Sequence, residues 1–209
     1  MNGLLITFEG IEGSGKSTQI ELLKTRLKDL NLPVSVTRQP GGTRIGESIR
    51  KILLDPKHTA MHARAELLLY AADRAQHVAE VVQPELDADR ICLCDRFADS
   101  TTAYQGAGRA IENEDIQWLH RFAMQGCMPD LTLLLDLPEK TGLSRVAKAG
   151  NPDRIESEAL EFHQRVRASF LKIAELEAER VKVVDGMQSV EAVAEAIWAH
   201  VSPVVERVR

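Results

Sequence analysis

The sequence predicts an α/β fold, a five-stranded parallel sheet with helices on both faces. Three observations carry this. Five short apolar runs recur along the 209 residues: LLITFE (4–9), VSVT (34–37), ICLCD (91–95), LTLLLDL (131–137) and VKVVD (181–185). They are mostly continuous rather than alternating, as strands covered on both faces read. Longer segments of helical periodicity separate them, and strand–helix–strand order makes neighbouring strands parallel.

The elements follow in order. Strand 4–9 runs into a glycine-rich stretch, EGIEGSGKST (9–18), and then a helix over 16–30, where Ile20, Leu23, Leu27 and Leu30 stand at i, i+3, i+7 and i+10. Strand 34–37 is followed by the loop QPGGTR (39–44) and a helix over 44–54. A long helical pattern covers 62–88 and leads into strand 91–95; the next, 113–126, leads into strand 131–137. Patterns at 139–149 and 156–179 precede the last strand, and one at 189–207 follows it. Besides 39–44, the loops richest in Gly and Pro are QGAGR (105–109) and AGNPDR (149–154). Ligands of parallel sheets bind beyond the carboxyl ends of the strands, so all three loops are expected to gather there. Without repeats, low-complexity stretches or a linker, 1–209 reads as one domain.

Composition narrows the partners. The net charge is −5, so the basic footprint of a nucleic-acid-polymer binder is missing. Three cysteines, Cys92, Cys94 and Cys127, give an odd count without CxxC spacing. This speaks against a disulfide framework and against a zinc site; Cys92 and Cys94 read as small core residues. No leader pattern is visible, and no apolar run reaches the roughly 18 residues of a membrane helix. A cytoplasmic protein with no membrane partner is expected.

Gly10, Gly15, Lys16 and Ser17 satisfy G-x-x-x-x-G-K-[ST], with a strand before and a helix after. Glycines let the chain curl so that successive N–H groups surround a phosphate, and the following helix adds its positive end. The loop Gly10, Ile11, Glu12, Gly13, Ser14, Gly15, Lys16, Ser17 and Thr18 is therefore the expected nucleotide site. Lys16 would reach the β- and γ-phosphates, and Ser17 would bind Mg²⁺. GTPase switches, motor ATPases and small-molecule kinases all use such a loop. NKxD is absent, which counts against a GTPase.

Asp95 ends the third strand, beside Arg96, and is a candidate Mg²⁺ partner. Asp136 is its rival, since it also ends an apolar run; the adjacent cation favours Asp95. Arg38 and Arg96 both follow strand ends, on the ligand-binding edge. Guanidinium groups suit an enzyme that holds several phosphate oxygens together. The segment SRVAKAGNPDR (144–154) reads as a lid, with cations at Arg145, Lys148 and Arg154 and a turn at Gly150 and Pro152. Its closure would exclude water and favour transfer over hydrolysis.

Nearly the whole chain resembles thymidylate kinase of the bacterial type. The matching pieces are FEGIEGSGKST (8–18), TRQPGGT (37–43), IRKILLD (49–55), LLLYAADRAQH (67–77), CDRFADSTTAYQGAGR (94–109), PDLTLLLDL (129–137) and DRIESEALEFHQRVR (153–167). DRF followed by DSTTAYQG is the specific combination. The resemblance implies a phosphate-loop nucleoside monophosphate kinase fold with a lid near 142–154, ATP and dTMP as substrates, Mg²⁺, and a homodimer. It implies that Glu12 lies near the dTMP sugar and the transferred phosphate, and that Arg96 bridges donor and acceptor phosphates. Arg38 and Arg50 would hold the dTMP phosphate, Tyr70 would stack on thymine, and Arg74 and Thr101 would read the base edge. Tyr104 and Gln105 would wall off a 2′-hydroxyl. Lys16, Glu12, Arg96, Arg145 and Arg154 form the implied catalytic set, and adenine is expected near Asp185–Gln188.

Three departures from the family pattern stand out. Position 70 is Tyr where Phe is commoner, and its hydroxyl needs a partner. Position 39 is Gln where T-R-E-P-G-G is usual, and positions 147 and 149 are Ala in a lid that often carries arginines. Two alternatives remain at this point: an ATP-hydrolysing switch or motor, and a kinase of another acceptor. The first needs a partner surface rather than a second anion site. A deoxynucleoside would have no use for an arginine-rich acceptor site. Discrimination between dTMP and dUMP rests on one methyl group, about 1 kcal/mol of burial.

Overall fold

The computed structural model of the protein describes residues 3–150 and 152–207. The apolar runs form β1 (Leu4–Glu9), β2 (Val34–Arg38), β3 (Ile91–Asp95), β4 (Leu131–Asp136) and β5 (Val181–Asp185). They pair in parallel in the order β2-β3-β1-β4-β5. The chain leaves the central β1 for β2 and β3 on one side, then crosses to β4 and β5 on the other. The carboxyl end of β1 is thus the switch point at which such sheets bind ligands. Register sets Asp95 beside Phe8 on β1 and beside Arg38 on β2.

Alternation along the strands splits the core in two. Leu4, Ile6 and Phe8 face a layer built by α1 (Lys16–Asp29) and α9 (Val190–Glu206), where Ile20, Leu23, Leu27, Val193, Ile197 and Val201 pack on them. The opposite face carries Leu5, Cys92 and Cys94 against Val78, Val82 and Phe97, and Leu134 against Phe162, Val166 and Phe170 of α8 (Leu160–Leu176).

The remaining helices complete the fold. They are α2 (Arg44–Leu54), α3 (Ala63–His77), α4 (Gln83–Asp87), α5 (Ala98–Thr101), α6 (Asn113–Met124) and α7 (Glu139–Ala149). Thr43 caps α2 by accepting from the Gly46 amide at 2.9 Å. The expected single helix over 62–88 is two helices joined by a π-helical stretch, Val78–Val82. Similarly, α8 begins at Leu160 rather than at 156, because Asp153 draws the amides of Ile155 and Glu156 into a separate turn at 2.8 and 2.9 Å.

The larger difference is at 105–109. The glycines there predict a loop, yet Thr102–Gly108 continues α5 as a π-helix. Here glycine serves close packing rather than chain reversal, since a Cβ on Gly108 would collide with the Phe162 ring of α8. Widened turns of this kind cluster at functional sites, and this one puts Tyr104 and Gln105 into the wall described next.

Candidate active site

The loop between β1 and α1 is shaped as its glycines suggest. Gly13 has φ +69°, and a Cβ there would strike the Gly142 carbonyl of α7, so loop and lid helix meet backbone to backbone. Lys16 is buried inside the loop. Its ammonium donates to the Gly10 and Ile11 carbonyls at 3.1 and 3.0 Å and to Ser14 Oγ at 3.1 Å. Burial, with Arg96 nearby, lowers its pKa to about 8.

Ser17 and Asp95 meet across the loop mouth, with Ser17 Oγ 3.5 Å from Asp95 Oδ2. Asp95 Oδ1 is buried without a hydrogen-bond partner. Its rival Asp136 is already engaged by Arg167, which donates to both carboxylate oxygens at 2.7 and 2.9 Å. A hydroxyl and a carboxylate with a vacant oxygen are the hard donors Mg²⁺ selects. Among the described residues no cluster of three or more acidic, His or Cys side chains could hold a metal alone.

Arg96 follows Asp95 with φ +67°, a left-handed conformation that a non-glycine residue rarely keeps without reason. Its guanidinium donates to Gly10 O at 2.9 Å, Ser100 Oγ at 3.1 Å and Glu12 Oε1 at 3.1 Å. Glu9 holds the turn in place: wholly buried, it accepts from the Phe97 amide at 2.7 Å and from Ser100 Oγ at 2.5 Å. Burial, reinforced by Asp99, raises its pKa to about 7. Sequence reasoning missed Glu9; an acid closing an otherwise apolar strand beside the loop was the available signal. Burial pulls Glu12 upward too, but Arg96, His163 and Tyr104 outweigh it and leave its pKa at about 2.

Beside Arg96 opens a cleft of about 660 Å³, counting space open to solvent. Glu12, Arg50, Tyr70, Arg74, Arg96, Thr101, Tyr104 and Gln105 line it, joined by Gln39, Phe97 and Glu156, which sequence reasoning did not place there. Tyr104 Oη donates to Glu12 Oε1 at 2.6 Å and so ties the cleft wall to the phosphate loop. The Tyr70 hydroxyl has no protein hydrogen bond among the described residues; burial raises its pKa.

Arg74 is 2% exposed, yet every acceptor it hydrogen-bonds is uncharged. It donates to Gln39 Oε1 (3.0 Å), His120 Nδ1 (3.2 Å), Phe97 O (3.0 Å) and Thr101 Oγ1 (2.8 Å). That employs four of its five N–H groups and leaves one Nη1–H for the cleft. The chain explains Gln39. Its amide oxygen accepts from Arg74 while its NH₂ donates to His77 Nδ1 at 3.0 Å, and His77 Nε2–H donates on to Thr37. A carboxylate here would accept from Arg74 and take a proton from the other His77 tautomer, so the amide selects the tautomer in which Nδ1 accepts. Burial and then Arg74 push His77 down to about 4 and His120 to about 3, so both rings are neutral at pH 7.

Two expected residues sit elsewhere. Arg50 reaches the cleft, donating to Pro40 O at 2.8 Å, whereas Arg38 is outside its lining and paired with Glu47 at 2.9 Å. Arg154 is not a free lid cation in this conformation. It is buried, pairs with Glu66 at 2.6 Å and donates to Leu53 O at 2.7 Å. Glu66 is the reason: wholly buried, it also accepts from Gln105 (2.8 Å) and Arg109 (3.1 Å), and a carboxylate taken from water requires such partners. Arg145 stays exposed on α7 but donates to Gly13 O at 3.1 Å, already touching the phosphate loop. Lys148 is exposed, and Asn151 lies outside the described residues. Gly186 approaches Ser14, so the 185–188 turn adjoins the loop.

A family model described as thymidylate kinase matches residues 8–197. A thymidylate kinase from Latilactobacillus sakei is 50% identical over 196 residues, 92% of each chain. One from Pseudomonas putida is 46% identical over all 209 residues and covers both chains completely. A crystal structure of thymidylate kinase from Ehrlichia chaffeensis superposes with a TM-score of 0.80 at 32% identity, covering 96% of this chain and 100% of that one. A family model spanning most of the chain and relatives that match it almost end to end settle the point: the chain belongs to the thymidylate kinase family.

Proposed function

We propose that ATP·Mg²⁺ occupies the 10–18 loop, that dTMP occupies the cleft, and that Arg96 joins them. As a thymidylate kinase the chain phosphorylates dTMP to dTDP with ATP as donor. The observation supporting this assignment of sites is the position of Arg96, one guanidinium touching the phosphate loop at Gly10 and lining the cleft.

A phosphate oxygen of dTMP attacks the γ-phosphorus in line. The bond to the bridging oxygen breaks, leaving ADP, and the new bond makes dTDP. The acceptor oxygen is already anionic, so no general base is needed. Catalysis rests on positioning and charge. Lys16 leaves its carbonyl partners for the β- and γ-phosphates, and Arg96 holds the oxygens of both nucleotides. Arg50 anchors the dTMP phosphate, Tyr70 stacks on thymine and the spare Arg74 N–H donates to its O4. Tyr104 fills the place a 2′-hydroxyl would take. Arg145 closes over the donor from α7. Ser17 and Asp95 would hold Mg²⁺, which would neutralise phosphate charge.

Two further properties belong to this reading. Trp118 and Phe122 stack 5.5 Å apart on α6 and are 56% and 68% exposed; Leu68 on the adjoining α3 is 57% exposed. Apolar surface of this kind supports a homodimer through these helices. Three buried free cysteines, Cys92, Cys94 and Cys127, support a cytoplasmic setting, and no helix among the described residues is long and apolar enough to cross a membrane.

ADP release from ATP·Mg²⁺ tests the function, with dTMP, dUMP, dCMP, AMP, thymidine and no acceptor run in parallel. Strong turnover with dTMP, weaker with dUMP, is expected; equal release without acceptor would leave only an ATPase. The same preparation should sediment at about twice 23.2 kDa. Lys16 adds a pH signature. It is a cation only below about pH 8 in the free enzyme, so ATP affinity is full below that pH and weakens as pH rises through it. Calorimetric titration with ATP between pH 7 and 10 should show this break, and K16R should remove it.

A further inference from the structure

Two buried orphan atoms face each other behind the phosphate loop. Glu12 places both of its hydrogen bonds on Oε1, one from Tyr104 and one from Arg96. Its Oε2 is buried without a partner. Across from it, 3.5 Å away, is Nδ1 of His163 on α8, a ring with 0% exposure whose two nitrogens also lack partners. Phe162 stands edge-on to this ring at 5.4 Å, and Val166 and Phe170 occupy the same apolar layer. An aliphatic side chain would suit those surroundings better, since an unsatisfied buried imidazole is unfavourable.

A use for the imidazole appears once the cycle is considered. In the free enzyme Arg96 supplies the countercharge of Glu12. When Arg96 turns to the nucleotide phosphates, Glu12 keeps only the Tyr104 hydroxyl. Among the described residues, cationic or imidazole nitrogens within 4 Å of the Glu12 carboxylate belong to Arg96 and His163 alone. Closing the 3.5 Å gap by about half an ångström completes a hydrogen bond.

We propose that His163 is a positioning residue for Glu12, donating from Nδ1–H to Oε2 and taking over as its partner when Arg96 engages the phosphates. The ring is then the Nδ1–H tautomer, with Nε2 bare on the apolar side. His163 touches no substrate; it acts by keeping Glu12 aligned beside Tyr104 and the acceptor. The inference rests on the assignment of dTMP to the cleft.

Side-chain geometry supplies the test. An Asn amide nitrogen can stand in for Nδ1, whereas that of Gln corresponds to Nε2. We expect H163N to keep kcat within about threefold of wild type, and H163Q and H163L to lose about tenfold, the size of one hydrogen bond to a charged group. KM for dTMP and ATP should change less than kcat. In a double-mutant cycle, E12A/H163L should be no slower than E12A alone, because His163 has nothing left to position. Melting temperatures of all variants are measured alongside. Equal losses in H163N and H163Q, or losses that multiply in E12A/H163L, would overturn the proposal. If H163L fails to fold, the Asn–Gln comparison decides. Absence of dTMP phosphorylation in the wild type would instead remove the assignment beneath it.

Discussion

Replacing Arg96 with alanine should lower kcat by roughly 10³-fold, with smaller changes in KM for ATP and dTMP. In the proposed arrangement the guanidinium serves two phosphates, and charge builds up between them most strongly in the transition state. Its effect therefore appears in kcat rather than in ground-state binding. R96K keeps the charge but not the planar fork that now reaches Gly10, Ser100 and Glu12; about 10² of the loss should remain. R96G serves as a stability control. Position 96 has φ +67°, so glycine relieves strain that alanine keeps. R96G should be as inactive as R96A yet more stable by about 1 kcal/mol. Steady-state kinetics with purified variants and thermal melts read both effects. A kcat for R96A within tenfold of wild type would remove Arg96 from the reacting centre.

The second large effect concerns the base. The wild-type enzyme should prefer dTMP over dCMP by roughly 10⁴ in kcat/KM. Arg74 lines the cleft with one N–H unused, its other four held by neutral acceptors. A 4-carbonyl accepts that proton. A 4-amino group meets it donor to donor and leaves a buried cation unsatisfied. In R74Q the amide can present either end, so the preference should fall to about 10² while activity with dTMP drops. Loss of the shared partner also strands Thr101 and His120, and R74Q should melt lower than wild type. Paired kcat/KM measurements with dTMP and dCMP are the check; an unchanged ratio would show that Arg74 does not read the base.

Much of this was legible in contiguous residues. The five strands, their parallel arrangement and the 10–18 loop follow from patterns that each segment carries within itself. Strands covered on both faces are apolar throughout, and a loop that curls around phosphate needs its glycines and lysine at set spacings. DRF at 95–97 could be read as site residues because Asp95 closes a strand and Arg96 must follow it onto the ligand edge. Tyr70 and Arg74 could be paired because one helical turn separates them.

Other features depended on partners distant in sequence, which no local pattern reveals. Arg154 looks like a lid cation until Glu66, buried on another helix, is seen to hold it. Asp136 rivals Asp95 until Arg167 takes both of its oxygens. Gln39 looks like a loss of charge until His77 and Arg74 show that both halves of an amide are in use. Gly108 suggests a loop until the Phe162 ring demands that close packing. By itself, then, the sequence determined the fold class, the nucleotide loop and the kind of chemistry, because these depend on near-neighbour geometry and residue type. Only the tertiary structure decided which charges are free and which are already paired, because desolvation forces each buried charge or donor to find a partner wherever the fold brings one within reach.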